Sequence, residues 1–221
     1  MIGQQRLLNK EFPQFVILLG KHRSGKKTLI KEKYKDVVGG LATVDDVRYV
    51  ISDSSKLTSE RTYLFNINEM NYQSQNTLLK ITEEPNEHTR IIITGRFKNQ
   101  FIRTLQTRAA IFTMDNYTRE QLKSAAEKEE YLNYYDTIGL LQKADKDTIE
   151  VAKKIADNIE KMRVSSLFNL EIEDFILFSK PLKYYMKDPE VIKIITEYEY
   201  YYDKGYNFIL EEMFIKIKEV I

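Results

Sequence analysis

The chain has 221 residues, 43% of them hydrophobic and 12% aromatic, which is enough for one α/β domain and a smaller helical part. Its 34 basic and 33 acidic side chains leave a net charge of only +1, which excludes a protein driven onto nucleic acid by its overall field. Two histidines and no cysteine exclude disulfides and thiolate zinc sites, so we expect no metal site.

The first buried strand is predicted at 15–19, an apolar run between Pro13 and Gly20. A glycine-bounded loop follows it, and then a helix is predicted at about 29–34. This order is typical of a phosphate-binding P-loop, in which backbone N–H groups and a helix N-terminus surround the phosphate. The candidate nucleotide-binding residues are Gly20, Ser24, Gly25, Lys26, Lys27 and Thr28.

Within this loop Lys26 is expected to reach the terminal phosphates. The hydroxyl that ligates Mg²⁺ normally follows this lysine directly, but the chain has Lys27 at that position. Thr28, one place later, points to a different side of the helix. The pattern therefore favours phosphate binding over metal-assisted hydrolysis, and a glycine loop without any ligand stays an alternative.

The residue pattern in the middle of the chain predicts a second strand followed by a helix. The apolar run at 63–67 indicates a buried strand, and Asn68 and Glu69 follow at its carboxyl end, where parallel sheets bind ligands. A helix is predicted from its cap, Asn71, to about Thr82.

Other elements complete an alternating pattern over the first 115 or so residues. Strands are predicted at 90–94 and 109–112, with a short helix at 97–105 between them. The segment 37–42 contains a glycine pair and is predicted to be a loop, and Thr43 is predicted to cap the helix after it. Alternating strands and helices predict a parallel sheet with helices on both faces.

The composition changes near residue 115, and the pattern from there on is helical. Thr118 and Gln121 predict a capping box, and Asp147 is predicted to cap a helix with an apolar stripe. The tyrosines at 198–202 are predicted to pack between helices rather than to stack on nucleobases, because acidic side chains among them would repel a phosphate backbone.

Five short blocks resemble a known family. The most specific block is Asn76-Thr77-Leu78-Leu79-Lys80-Ile81-Thr82-Glu83-Glu84-Pro85. The other four are Ile2-Gly3-Gln4, Val44–Arg48, Thr104–Ala109 and Asn207–Met213. In this order they resemble the delta-prime subunits of the bacterial DNA polymerase III clamp loader, a branch of the AAA+ proteins that also contains the gamma and tau subunits.

The resemblance implies an AAA+ P-loop α/β domain at 1–115, a small helical lid at 116–164 and a short helical collar for ring assembly at 165–221. In that family a neighbouring subunit supplies an arginine to the γ-phosphate of bound ATP, and the matching residue here is Arg108. Thr94 matches the family's sensor position.

Two departures from the family weaken the metal site. The acidic pair that gamma-type subunits carry after the central strand is matched by Asn68-Glu69, so Glu69 is a degenerate remnant and one anionic charge is missing. Together with Lys27, this makes us expect no intrinsic ATPase activity. An active gamma-like ATPase and a purely structural assembly protein with a vestigial nucleotide site stay alternatives.

The resemblance also implies the cofactors and partners. We expect ATP or ADP in a weak or vestigial site, Mg²⁺ only together with nucleotide, and no zinc, because the family's zinc module is missing. The expected partners are gamma/tau-like and delta-like subunits in a ring and, through that complex, the sliding clamp and primed DNA in replication. Since no apolar run resembles a signal peptide or a membrane span, we expect a cytoplasmic protein without a membrane partner.

Overall fold

A computed structural model describes residues 6–167, 172, 174–203 and 209–221. The chain divides into two compact units, Met1–Tyr117 and Thr118–Ile221. The block Ile2-Gly3-Gln4 and the first two residues of the block Asn207–Met213 lie outside the described residues. None of the described helices is both long and apolar enough to cross a membrane.

The first unit is built on one sheet of five parallel strands in the order β2-β3-β4-β1-β5. The strands are β1 (Phe15–Leu19), β2 (Val37–Leu41), β3 (Arg61–Asn66), β4 (Thr89–Gly95) and β5 (Ala110–Thr113). The strands β1, β3 and β4 are almost continuously buried, as expected of a parallel sheet that is covered on both faces. The predicted α/β fold with helices on both faces is thus confirmed.

Among the described residues, the helices on this sheet include α1 (Lys26–Lys33), α2 (Val44–Ser54), α3 (Tyr72–Glu83) and α4 (Arg103–Arg108). Alternate strand residues point to opposite faces, so Ile17 and Phe65 belong to one core and Leu18 to the other. The helices α2, α3 and α4 contribute to the first core, and α1 contributes Leu29 and Ile30 to the second.

The loop prediction for 37–42 is wrong, because these residues form the edge strand β2. It pairs in parallel with β3 from Val37, and the register shifts between Gly39 and Leu41, where Gly40 takes a φ of 79°. An irregular edge strand accepts glycine because only one side of it has to bond to a neighbour.

In place of the single helix predicted at 97–105, the structure has two separate elements. Residues Lys98–Gln100 form a single 3₁₀ turn, and α4 begins only at Arg103. The predicted caps are confirmed in this unit: Thr43 and Asp46 form a capping box at α2, and Asn71 caps α3 through the backbone N–H of Ser74.

The second unit is helical. Its α-helices are α5 (Arg119–Ala125), α6 (Ile138–Leu141), α7 (Lys146–Asn158), α8 (Val164–Leu167), α9 (Phe175–Met186), α10 (Pro189–Asp203) and α11 (Ile209–Val220). The capping box of Thr118 is confirmed. Asp147 is not the cap of α7. Asp145 is, because its carboxylate accepts from the backbone N–H of Thr148 at 2.7 Å.

One hydrophobic core runs through the second unit, from Tyr131 to Ile217. Residues assigned to a lid and residues assigned to a collar both contribute to it, so the division at 164/165 stays a prediction. Tyr198 is buried and its ring meets that of Tyr201 edge-on at 5.4 Å, as the packing interpretation expects.

Candidate nucleotide site and Arg108

The carboxyl ends of β1, β3 and β4 meet at one edge of the sheet, with β4 in the middle. The glycine loop follows β1, Gly95 ends β4, and Asn66 ends β3. A backbone hydrogen bond of 3.0 Å from the N–H of Gly20 to the carbonyl of Gly95 joins the first two of these ends. This edge is where open parallel sheets bind ligands.

The loop has the backbone geometry that its glycines suggest. Gly25 has a φ of 83° and stands immediately before α1, and Arg23 also has a positive φ of 52°. At Gly20 the restriction is space, because a Cβ atom there would lie 2.7 Å from Ser24 Oγ and 2.8 Å from Met114 Cγ. The two glycines are therefore required for different reasons, one for conformation and one for close packing.

Lys26 points into this loop. Its Nζ donates to the carbonyl oxygens of Gly20 and Lys21, each at 2.7 Å, and lies 3.4 Å from Ser24 Oγ. The helix that it opens has no acidic residue in its first turn and no side-chain cap at Gly25. A cationic side chain and a helix N-terminus at one loop suit an anion such as a phosphate group.

The site offers few side chains that could bind Mg²⁺. Lys27 and Thr28 are both exposed, so neither side chain is held inside the site. Among the residues that the structure describes, no group of three or more His, Asp or Glu side chains could hold a metal ion. The side chains present thus fit the phosphates of a nucleotide better than they fit Mg²⁺.

Asn66, the last residue of β3, lies beside Thr94, the residue that matches the family's sensor position. It pairs with Thr94 across the sheet, and the Thr94 hydroxyl donates to the carbonyl of Phe65 at 3.1 Å. Asn68 and Glu69 lie beyond the strand, in the 3₁₀ turn Ile67–Glu69. The side-chain amide of Asn66 donates to Glu69 Oε1 at 2.6 Å, which ties that carboxylate to the strand end.

Sequence reasoning missed Asn66 as a site residue. The signal was present, because Asn66 is the first polar residue after the run Tyr63-Leu64-Phe65. The apolar residue that follows it, Ile67, made the strand look longer than it is.

A buried amide, Gln100, connects the ends of β3 and β4. Its side-chain oxygen accepts from the backbone N–H groups of Arg96 and Phe97 at 2.7 and 2.8 Å, and its nitrogen donates to Asn68 Oδ1 at 2.7 Å. Gln75 on α3 accepts in the same way from the backbone N–H of Ile102 at 2.9 Å. Sequence reasoning missed both glutamines, since nothing in the local pattern marks a buried amide.

Arg108 lies elsewhere. It ends α4, which runs back from the carboxyl edge of the sheet to the start of β5, so Arg108 stands at the amino edge. A strand of five residues separates the two edges by roughly 15 Å at 3.3 Å per residue. The structure therefore does not bring Arg108 together with the loop of its own chain. Its Nη2 instead donates to Glu83 Oε1 at 2.5 Å.

The family model described as DNA polymerase III, delta subunit, matches residues 4–118, which are 115 of the 221 residues. The chain belongs to the DNA polymerase III delta subunit family. It is thereby a member of the clamp-loader family, and the match covers nearly all of the α/β unit of this delta-family chain.

One solved structure agrees with the fold of this delta-family chain. A DNA polymerase III gamma subunit-related protein from Thermotoga maritima matches with a TM-score of 0.58 and 13% identity, over 98% of this chain and 96% of that one. A point variant of Thermotoga maritima RuvB matches with a TM-score of 0.39 and 16% identity, over 99% of this chain and 64% of that one. The first likeness supports the α/β fold with its helical part and nothing finer. No curated protein sequence matches the chain.

Proposed function

We propose that the chain is a delta-prime-type subunit of a DNA polymerase III clamp loader, a ring member that offers Arg108 to the nucleotide of a neighbouring subunit. Its partners are then gamma/tau-like and delta-like subunits, and the ring acts on the sliding clamp and primed DNA. Its own loop binds ATP or ADP weakly and does not hydrolyse ATP at a useful rate.

The position of Arg108 carries this proposal. The guanidinium is at the edge of the sheet opposite the chain's own phosphate loop, yet it is only partly covered, with 33% of the side chain exposed. An arginine that serves phosphoryl transfer in another subunit needs this separation and this exposure. Family membership supports the ring context.

The metal side of the chain's own site supports the absence of turnover. Lys27 stands where a hydroxyl would ligate Mg²⁺, and Asn66 and Asn68 are neutral where an anionic residue would assist the metal. Lys26 and the loop geometry favour the alternative, a gamma-like ATPase, because they are what phosphate binding requires. Steady-state hydrolysis by the isolated chain that Lys26→Ala abolishes would decide for that alternative.

The test of Arg108 uses the ring recovered from the source cells with an affinity tag on this chain. We expect Arg108→Ala to leave the subunit composition unchanged and to slow, by about 10³-fold, ATP hydrolysis at the site that this chain completes. Arg103→Ala, at the other end of the same helix and measured without DNA, is the matched control and should keep the wild-type rate. An unchanged rate in an intact Arg108→Ala ring would remove the proposed role.

A further inference from the structure

Tyr117, the last residue of the α/β unit, contacts the phosphate loop through its hydroxyl. Its Oη donates to the backbone carbonyl of Ser24 at 2.9 Å, across 93 positions of sequence. The ring is half-buried, and this burial raises the pKa of the Tyr117 hydroxyl, so it stays a protonated donor at neutral pH.

The accepting carbonyl belongs to the peptide bond between Ser24 and Gly25. In a planar trans peptide the C=O and the N–H point in opposite directions, so a fixed carbonyl fixes the N–H of the next residue. Ser24 is itself held, with 4% of its surface exposed and its N–H donating to the carbonyl of Lys21 at 3.2 Å. The Tyr117 hydroxyl thus bonds the carbonyl of the peptide whose N–H belongs to Gly25, directly before Lys26.

In a loop that binds an anion, the N–H groups turn inward and the carbonyls turn outward, where they need other donors. We propose that Tyr117 is a positioning residue of the phosphate site, which holds the Ser24–Gly25 peptide with its N–H directed at the anion. The inference rests on the proposed binding of nucleotide by this loop and names a residue on which its affinity depends.

The hydrogen bond of Tyr117 and the occupation of the loop influence each other. A phosphate that stabilises the loop conformation also stabilises the hydrogen bond to Tyr117, and by linkage a restrained Tyr117 strengthens phosphate binding.

The test compares Tyr117→Phe with Tyr34→Phe in the full chain. Both lose one hydroxyl from a partly buried ring, but the Tyr34 hydroxyl has no hydrogen-bond partner among the described residues. Two quantities are measured: hydrogen exchange of the amides at 20–26 without ligand, and the dissociation constants of ADP and of inorganic pyrophosphate. We expect Tyr117→Phe to speed exchange in the loop and to weaken both ligands about fivefold to tenfold, and Tyr34→Phe to do neither.

The two readouts separate the inference from the function on which it rests. If the wild-type chain binds neither ligand at millimolar concentration, the proposed nucleotide site fails, and loop exchange alone decides whether Tyr117 positions the peptide. If the wild-type chain binds ADP and Tyr117→Phe matches Tyr34→Phe in both exchange and affinity, the role of Tyr117 is overturned while nucleotide binding stands.

Discussion

Arg108 and Glu83 form an ion pair at the surface of the α/β unit, where 33% and 54% of the two side chains are exposed. Nη1 of the same guanidinium lies 3.5 Å from the carbonyl of Thr104, at the limit of a hydrogen bond. Exposed pairs of this kind contribute little to folding, because water and salt screen both charges. Breaking the pair between Arg108 and Glu83 should therefore cost the fold little.

For this reason we expect the pair to be nearly neutral for stability. Urea unfolding of Glu83→Gln, Arg108→Ala and the double variant should give changes in the free energy of unfolding within about 0.5 kcal/mol of each other. Glu84→Gln is the matched control, a neighbouring exposed carboxylate at the end of the same helix. A coupling energy above about 1.5 kcal/mol would show instead that Arg108 is a structural residue.

At the scale of elements, Asp53 joins α2 to the buried strand β3. Its Oδ2 accepts from the Tyr63 hydroxyl at 2.5 Å and from Arg61 Nη1 at 2.9 Å, and Arg61 also reaches Asp36 at 2.7 Å. The Tyr63 hydroxyl and then the Arg61 guanidinium hold the pKa of the Asp53 carboxyl below its usual value.

This lowered pKa gives a stability that depends on pH. A carboxyl with a lower pKa in the folded state stabilises the protein above its unfolded pKa, near 4, and loses that contribution as the pH falls through the folded value. We expect Asp53→Asn to lower the free energy of unfolding by about 1–2 kcal/mol at pH 7 and to reduce the loss of stability between pH 4 and pH 2. Chemical unfolding at these pH values measures both effects.

The control for Asp53 lies on the same helix. Among the described residues Asp45 pairs with Arg48 at the surface, and 87% of its side chain is exposed. Asp45→Asn should change stability by less than about 0.5 kcal/mol at either pH. Equal effects of the two substitutions would contradict the role given to the contact between Asp53 and Tyr63.

The strands β1, β3 and β4 were predictable because buried parallel strands consist of short runs of apolar residues. The edge strand β2 was not, since Gly39 and Gly40 have no side chains and its bonding partner lies some 25 residues away. For the same reason Gln75 and Gln100 were missed, because their hydrogen bonds join residues that are distant in sequence. The separation of Arg108 from the loop was implied by the pattern, because Arg108 precedes a predicted parallel strand and the loop follows one.

At the scale of the molecule, each described hydrophobic core lies within one unit, and the helical unit also has a buried charge. Glu199, with 1% of its side chain exposed, accepts from Lys183 Nζ at 2.8 Å and from the Ser179 hydroxyl at 2.7 Å. Removing one partner of a buried pair leaves the other charge poorly solvated, which costs more than the pair itself contributes.

We therefore expect Lys183→Met to destabilise the helical unit by about 3 kcal/mol and to leave the sheet unit unaffected. Native-state hydrogen exchange reports on each unit separately: protection should fall in α9 and α10 and remain in β1, β3 and β4. The additional substitution Glu199→Gln should recover part of the loss. A uniform fall across both units would mean that they unfold as one.

The positive charge in the first turn of α1 bears on how the stability of the chain should depend on dissolved anions. The helix opens on Lys26 and Lys27, with no acidic residue in its first turn and no side-chain cap at Gly25, so positive charge collects at its positive end. A ligand that binds only the folded state stabilises it in proportion to the logarithm of its concentration. We therefore expect the chain to be more stable in a buffer whose anion is sulfate than in one whose anion is chloride, so that the buffer anion acts as a reagent as well as a background salt.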